Sequence, residues 1–149
     1  MKFEKFLKGC GTHGQIVTRS NGDKWLVCGG VGMKVPAGVV NLLGSGEVSE
    51  KVKTLVEGLI KADTDDRVVL SRAIIEKDGK AKDIIRVFGD DLNIEIGIYN
   101  SAFGLLEKCD ENLAEVEIED DSDFNGSKFL LVLNYDEDLI GFIRGVEEV

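Results

Sequence analysis

Residues 15–28 read QIVTRSNGDKWLVC, and this stretch decides the fold because it carries a strong local signal for a β-hairpin. Asn21 and Gly22 separate two β-prone runs, and both residues tolerate the positive φ that tight hairpin turns require. We therefore expect residues 15–28 to form an antiparallel hairpin. A further β-prone run at 31–35 ends at Pro36, the only proline, which favours the end of a third strand there.

Further along the chain, apolar residues recur at the period of two that half-buried strands require. Leu92, Ile94, Ile96 and Ile98 alternate in this way. The pair Asp78-Gly79 predicts a tight turn between two of these runs. The strands predicted after the first three are 67–75, 81–88, 92–99, 115–119, 128–134 and 139–146.

One segment has the periodicity of a helix instead of a strand. Its apolar residues recur at intervals of three and four and form one stripe: Val48, Val52, Leu55, Val56, Leu59 and Ile60. The sequence therefore predicts an α+β fold, with a mainly antiparallel β-sheet built from hairpins and one amphipathic helix at about 48–62. The length of 149 residues predicts a single domain over residues 1–149.

Charge is distributed unevenly along the chain. Residues 1–75 carry 11 Lys/Arg and 8 Asp/Glu, residues 76–149 carry 7 and 20, and the net charge is −10. Because an acidic surface repels phosphates, direct nucleic-acid binding is not expected. No apolar run is long enough to span a membrane, and the first residues lack the apolar core of a signal peptide, so we expect a protein of the cytosol.

The cysteines and the only histidine do not form a recognisable catalytic or metal-binding set. Cys10, Cys28 and Cys109 are odd in number and widely spaced, which favours reduced, buried thiols. With His13 they could supply zinc ligands or a Cys–His nucleophile pair, but neither the ligand spacing nor an orienting third group is evident. Residues 9–14 match G-x-G-x-x-G, yet a β-prone run follows where a dinucleotide site needs a helix. We therefore expect a protein that is not an enzyme.

A calcium site is an alternative interpretation of one acidic loop. Asp121, Asp123 and Asn125, followed by Gly126, match the first half of a calcium-binding loop, in which oxygen ligands alternate along the chain. The twelfth position of that loop is Val132 instead of a bidentate Glu. The same residues are also typical of a solvated turn, and no other cofactor is expected.

Acidic side chains are dense in the C-terminal half. Glu115, Glu117 and Glu119 alternate with apolar residues, so an extended strand would present all three on one face. They could protect a strand edge and promote solubility, or they could bind a basic protein surface. The candidate partner-binding residues are Glu115, Glu117, Glu119, Asp120, Asp121, Asp123, Asp136, Glu137 and Asp138.

Two stretches, residues 14–28 and Phe129–Val146, look similar to small uncharacterised proteins of tailed phages of Gram-positive bacteria. The resemblance spans much of the chain, but it rests on turns and strands and transfers no catalytic residue. It implies a phage or prophage origin and synthesis in a bacterial cytosol.

Four functions follow as hypotheses. The first is a non-enzymatic phage-type accessory protein that binds a partner protein through its acidic half, for example as an inhibitor of a host nucleic-acid-handling or defence protein. The second is a virion structural or assembly protein that forms a homo-oligomer. The third is a clamp-like DNA replication accessory that presents Lys51, Lys53 and Lys61 to the duplex. The fourth is a calcium-binding protein.

Overall fold

Three units of one helix and three strands follow one another along the chain. The computed structural model describes residues 1–39, 48–76, 84–89, 93–119 and 123–147. The first unit contains α1 (Phe3–Cys10), β1 (Gln15–Thr18), β2 (Lys24–Cys28) and β3 (Val31–Lys34). The second contains α2 (Glu50–Ile60), β4 (Arg67–Glu76), β5 (Ile84–Gly89) and β6 (Ile94–Tyr99). The third contains α3 (Asn100–Phe103), β7 (Asn112–Glu117), β8 (Lys128–Leu133) and β9 (Leu139–Arg144).

All described strands belong to one antiparallel sheet with the order β1-β2-β3-β9-β8-β7-β4-β5-β6. Neighbours within each unit are consecutive in sequence, whereas the pairs β3–β9 and β7–β4 join the units. This arrangement confirms the α+β class and the mainly antiparallel sheet. The turn predicted at Asp78-Gly79 lies outside the described residues.

The hairpin of residues 15–28 forms with a longer connection than a two-residue turn. β1 pairs with β2 from Gln15 opposite Val27 to Thr18 opposite Lys24. In the connecting loop only Gly22 has a positive φ, of 91°, and the Asn21 side chain accepts a hydrogen bond from the Asp23 amide. The Asn-Gly pair therefore marks the reversal but acts through an Asx-type turn.

The two faces of the sheet are both buried. On one face, α2 packs Leu55, Val56 and Leu59 onto a cluster that includes Trp25 and Phe129. The opposite face packs against α1 and the strands of the second unit, and its buried residues include Phe3, Phe6, Cys10, Leu26, Phe88, Ile98, Leu130 and Ile143. Alternation along the central strands divides their side chains between the two cores.

The sheet curls because β4 stays beside β7 for a short distance only. Register partners between these strands are limited to Arg67 and Val68 of β4. The second unit then folds across the sheet, so that the carbonyl of Gly97 in β6 accepts a hydrogen bond of 2.8 Å from the Val146 amide. The ammonium group of Lys128, at the start of β8, donates to the Glu95 carbonyl at 3.0 Å.

The helices differ in part from the sequence prediction. α2 begins after Ser49, whose Oγ accepts the Val52 amide as an N-cap, and it ends at Ile60, within the predicted range. The helix α1 was not predicted, although Phe3, Phe6 and Cys10 share one buried side of it. None of the described helices is long and apolar enough to cross a membrane.

Candidate functional site

Six of the described candidate partner-binding residues lie at two opposite ends of the third unit. Glu117, Glu119 and Asp123 lie at the β7–β8 connection, whereas residues 136–138 form the turn between β8 and β9. Strands of six residues separate the two groups, a distance of about 20 Å. Asp120 and Asp121 lie outside the described residues. Apart from Glu115, the described candidates therefore form two groups, one at each end of the strands.

Glu115 belongs to neither group, which corrects the expectation that it is exposed with Glu117 and Glu119. It is only 9% exposed. Burial raises the pKa of its carboxyl, and the nearby carboxylates of Glu95 and Asp66 add to this, although the Lys128 ammonium group at 3.9 Å acts in the opposite direction. The physical reason is the curl of the sheet, which brings the second unit over this end of β7.

The loop between β7 and β8 carries the residues of the predicted calcium site. Asp123 forms an ion pair with Lys51 of α2, and Asn125 is exposed. Asp121 lies outside the described residues, so the three predicted ligands are not described together. In the described part of the loop, the Lys51 ammonium group therefore pairs with the Asp123 carboxylate.

The turn between β8 and β9, residues Asn134–Asp138, has a network of its own hydrogen bonds, and we call it the acidic–aromatic turn. The Asn134 side-chain oxygen accepts hydrogen bonds from the Asp136 and Asp138 amides at 2.9 and 3.0 Å. The Asn134 amide donates to the Asp138 carbonyl, also at 3.0 Å. Glu137 has a φ of 64° and binds Arg67 of β4 at 3.1 Å. The backbone of this turn is therefore fixed by its own hydrogen bonds.

Tyr135 projects from the acidic–aromatic turn and is 90% exposed. Asp136 and Asp138 follow it in the same turn and form no ion pair with any described residue. The turn therefore presents an exposed aromatic ring together with carboxylates that no described cation compensates. Sequence reasoning assigned a role to the three acidic residues but not to Tyr135. The sequence did contain a signal for Tyr135, because an aromatic residue at a turn position is not needed to keep the turn solvated.

The cysteines and His13 do not assemble into the zinc set considered from the sequence. Among the described residues, the one group of three side chains able to share a metal ion is Glu107, Cys109 and Asp110. The amino group of Met1 already lies 2.7 Å from Asp110 and 3.4 Å from Glu107. This cluster therefore forms an ion pair with the start of the chain.

The remaining sequence motifs have structural explanations in the described residues. Residues 9–14 span the end of α1 and its connection to β1, so a helix precedes the motif and a strand follows it, the reverse of the strand–helix order of a dinucleotide site. Of the α2 lysines, Lys51 binds Asp123 and Lys53 binds Glu50 at 3.3 Å. Carboxylates therefore neutralise two of the three lysines considered for contact with DNA.

Comparison with known proteins gives no functional residues for this chain. No protein-family model matches it, and neither a curated protein nor a solved structure matches it.

Proposed function

We propose that this chain is a non-enzymatic accessory protein that binds a partner protein with a basic surface through the acidic–aromatic turn. The observation that carries the proposal is the combination of an almost fully exposed Tyr135 with the carboxylates of Asp136 and Asp138, which have no ion-pair partner in the described part of the chain. Tyrosine is enriched among the residues that contribute most binding energy in protein interfaces.

The turn is also suited to binding because its backbone is already ordered. The hydrogen bonds of Asn134 and the ion pair of Glu137 with Arg67 hold the turn before any partner arrives. A preorganised segment loses less conformational entropy on association than a flexible one. Ordering of the turn therefore costs less of the contact free energy on association.

The charge of the molecule supports a basic partner. The net charge of −10 arises from the second half of the chain, which includes this turn. Such a charge accelerates association with a basic surface and opposes association with nucleic acid. Together with the resemblance to phage proteins, this acidic charge favours an inhibitor of a host nucleic-acid-handling or defence protein, because proteins that bind nucleic acid expose basic surfaces.

The experiment compares two doubly substituted chains of equal charge. Immobilised protein is exposed to lysate of a Gram-positive bacterium, retained proteins are identified by mass spectrometry, and the dissociation constant of each purified partner is measured. Asp136→Asn with Asp138→Asn should weaken binding at least about tenfold and reduce its salt dependence. Glu117→Gln with Glu119→Gln, at the other end of the unit, should change it less than about twofold.

Tyr135→Ala provides a second variant that leaves the charge unchanged, and it should also weaken binding about tenfold or more. The proposal is wrong if no protein is retained, or if the two charge variants weaken binding equally. Retention of nucleic acid alone would likewise contradict it.

A further inference from the structure

Two of the three cysteines, distant in sequence, meet in the same part of the structure. Cys10 is the last residue of α1 and is 3% exposed, and Cys28 is the last residue of β2 and is partly buried. Cys28 and Leu26 lie on the same face of β2 because side chains alternate along a strand. Both pack in the core cluster that contains Cys10.

The chain after α1 passes close over the Cys10 side chain. A Cβ atom placed on Gly14 would lie 3.3 Å from the Cβ atom of Cys10 and 3.7 Å from its sulfur. The same Cβ atom would lie 2.7 Å from Cδ1 of Leu26. Gly14 therefore allows α1 to approach β2 closely enough for the thiol of Cys10 to reach the strand that carries Cys28.

Both cysteines also line one cavity of about 380 Å³, which Lys5, Tyr99 and Arg144 border. Burial raises the pKa of Cys10 to about 12, and neighbouring Cys28 adds to this through the negative charge of its thiolate and through a hydrogen bond. Because the thiolate is the reactive form, Cys10 is a poor nucleophile at neutral pH. Cys28 is the more exposed of the two sulfurs.

We propose that Cys10 and Cys28 form an intramolecular disulfide when the chain meets a small disulfide oxidant, and that this bond ties α1 to β2. The inference does not depend on the proposed function. It assigns a modification site to the face of the sheet opposite α2. Cys109 lies in the α3–β7 connection beside Glu107 and does not line this cavity.

The reaction with glutathione disulfide has two steps. The Cys28 thiolate first attacks one glutathione sulfur, so that a mixed disulfide forms and one glutathione thiolate leaves. The Cys10 thiol then loses its proton to solvent, and its thiolate attacks the Cys28 sulfur and displaces the second glutathione. The two protein thiols lose two electrons and two protons, and glutathione disulfide is reduced to two glutathione thiols.

The test uses the full chain with Cys109→Ser, which removes the exposed competitor. The protein is incubated with glutathione disulfide from pH 7 to pH 9, quenched with acid, alkylated and analysed by intact mass and peptide mapping. We expect a mass lower by two hydrogen atoms, no alkylation, and a peptide that joins residues 10 and 28. The second step should accelerate throughout this pH range, because the Cys10 thiolate fraction increases over all of it.

Two single variants separate the steps. Cys10→Ser should stop at a stable glutathione adduct on Cys28, and Cys28→Ser should leave the buried Cys10 thiol unmodified. Circular dichroism and thermal unfolding establish that each variant is folded. The result in the Cys109→Ser chain does not depend on these two variants. The proposal is wrong if that chain keeps two free thiols, or if the mixed disulfide on Cys28 persists in it at pH 9.

Discussion

Gly32 lies opposite Phe142 in the register between β3 and β9. A Cβ atom on Gly32 would lie 2.3 Å from Cζ of that ring and 2.4 Å from Cε1. The Phe142 ring is fully buried, stacks on Trp25 with centroids 6.0 Å apart and meets the edge of Phe129 at 5.8 Å. The missing side chain of Gly32 therefore makes room for the centre of an aromatic cluster, and this cluster joins the first unit to the third.

Gly32→Ala should lower the free energy of unfolding by about 1–3 kcal/mol, because a methyl group in this position overpacks a buried ring. Chemical denaturation monitored by Trp25 fluorescence measures the change. Gly58→Ala is the matched control, since Gly58 is exposed on α2 and a Cβ atom there meets no atom within 4 Å. That variant should be more stable by about 0.5–1 kcal/mol. Equal effects of the two substitutions would contradict this account of Gly32.

At the scale of the element, α2 is held by polar contacts at its ends as well as by its apolar stripe. Ser49 caps its first turn, and the Arg19 guanidinium group binds the Glu57 carboxylate at 2.8 and 3.4 Å. Arg19 immediately follows β1, so this ion pair joins the helix to the edge of the sheet. The hydrogen bond from Arg19 lowers the pKa of Glu57, and its charge adds to this effect.

Glu57→Gln should reduce stability at pH 7 by at most about 1 kcal/mol, because the pair is partly exposed to solvent. The pKa of Glu57 is lower in the folded chain than in the unfolded chain, so the pair stabilises the fold above the unfolded pKa of about 4.3. This stabilisation disappears as the pH falls through the folded pKa. Thermal unfolding from pH 7 to pH 2.5 should therefore show wild type and variant converging in acid. Glu111→Gln, at an exposed residue without a described ion pair, should leave the melting temperature nearly unchanged throughout.

Local sequence patterns predicted a helix or strand where the apolar residues followed one clear period. They failed where charged residues interrupted that period. The alternation at Ile94–Tyr99 and the stripe of residues 48–62 predicted β6 and the position of α2. The first helix was missed because Lys and Glu at four of residues 2–8 conceal the spacing of Phe3, Phe6 and Cys10. Tyr135 was missed for a different reason, since exposure depends on how the turn is oriented and not on residue type alone.

At the scale of the whole molecule, the order of the strands depends on contacts that no local pattern contains. Placing β9 beside β3 requires Phe142 to pack against Gly32, which lies more than a hundred residues earlier in the sequence. The curl of the sheet likewise depends on β4 leaving β7 after Val68. The burial of Glu115 follows from the second of these features, so it could not be derived from the spacing of carboxylates in the sequence.

The closure of the curled sheet depends on Lys128, whose ammonium group donates to the Glu95 carbonyl of β6 and lies 3.9 Å from the buried Glu115 carboxylate. Lys128→Met keeps the aliphatic stem but removes both polar contacts, so it should cost about 1–3 kcal/mol and accelerate hydrogen exchange in β6 more than in the β1–β2 hairpin.

Adding Glu115→Gln to Lys128→Met should restore part of the stability, because the remaining buried group is then uncharged. Lys53→Met removes a lysine from an exposed pair on α2 and should leave exchange in β6 unchanged. If Lys128→Met accelerated exchange equally in β6 and in the hairpin, the loss would be global and β6 would not be held by this side chain. A localised loss, recovered in the double variant, would identify the contact of Lys128 with β6 as what keeps the second unit folded over the sheet.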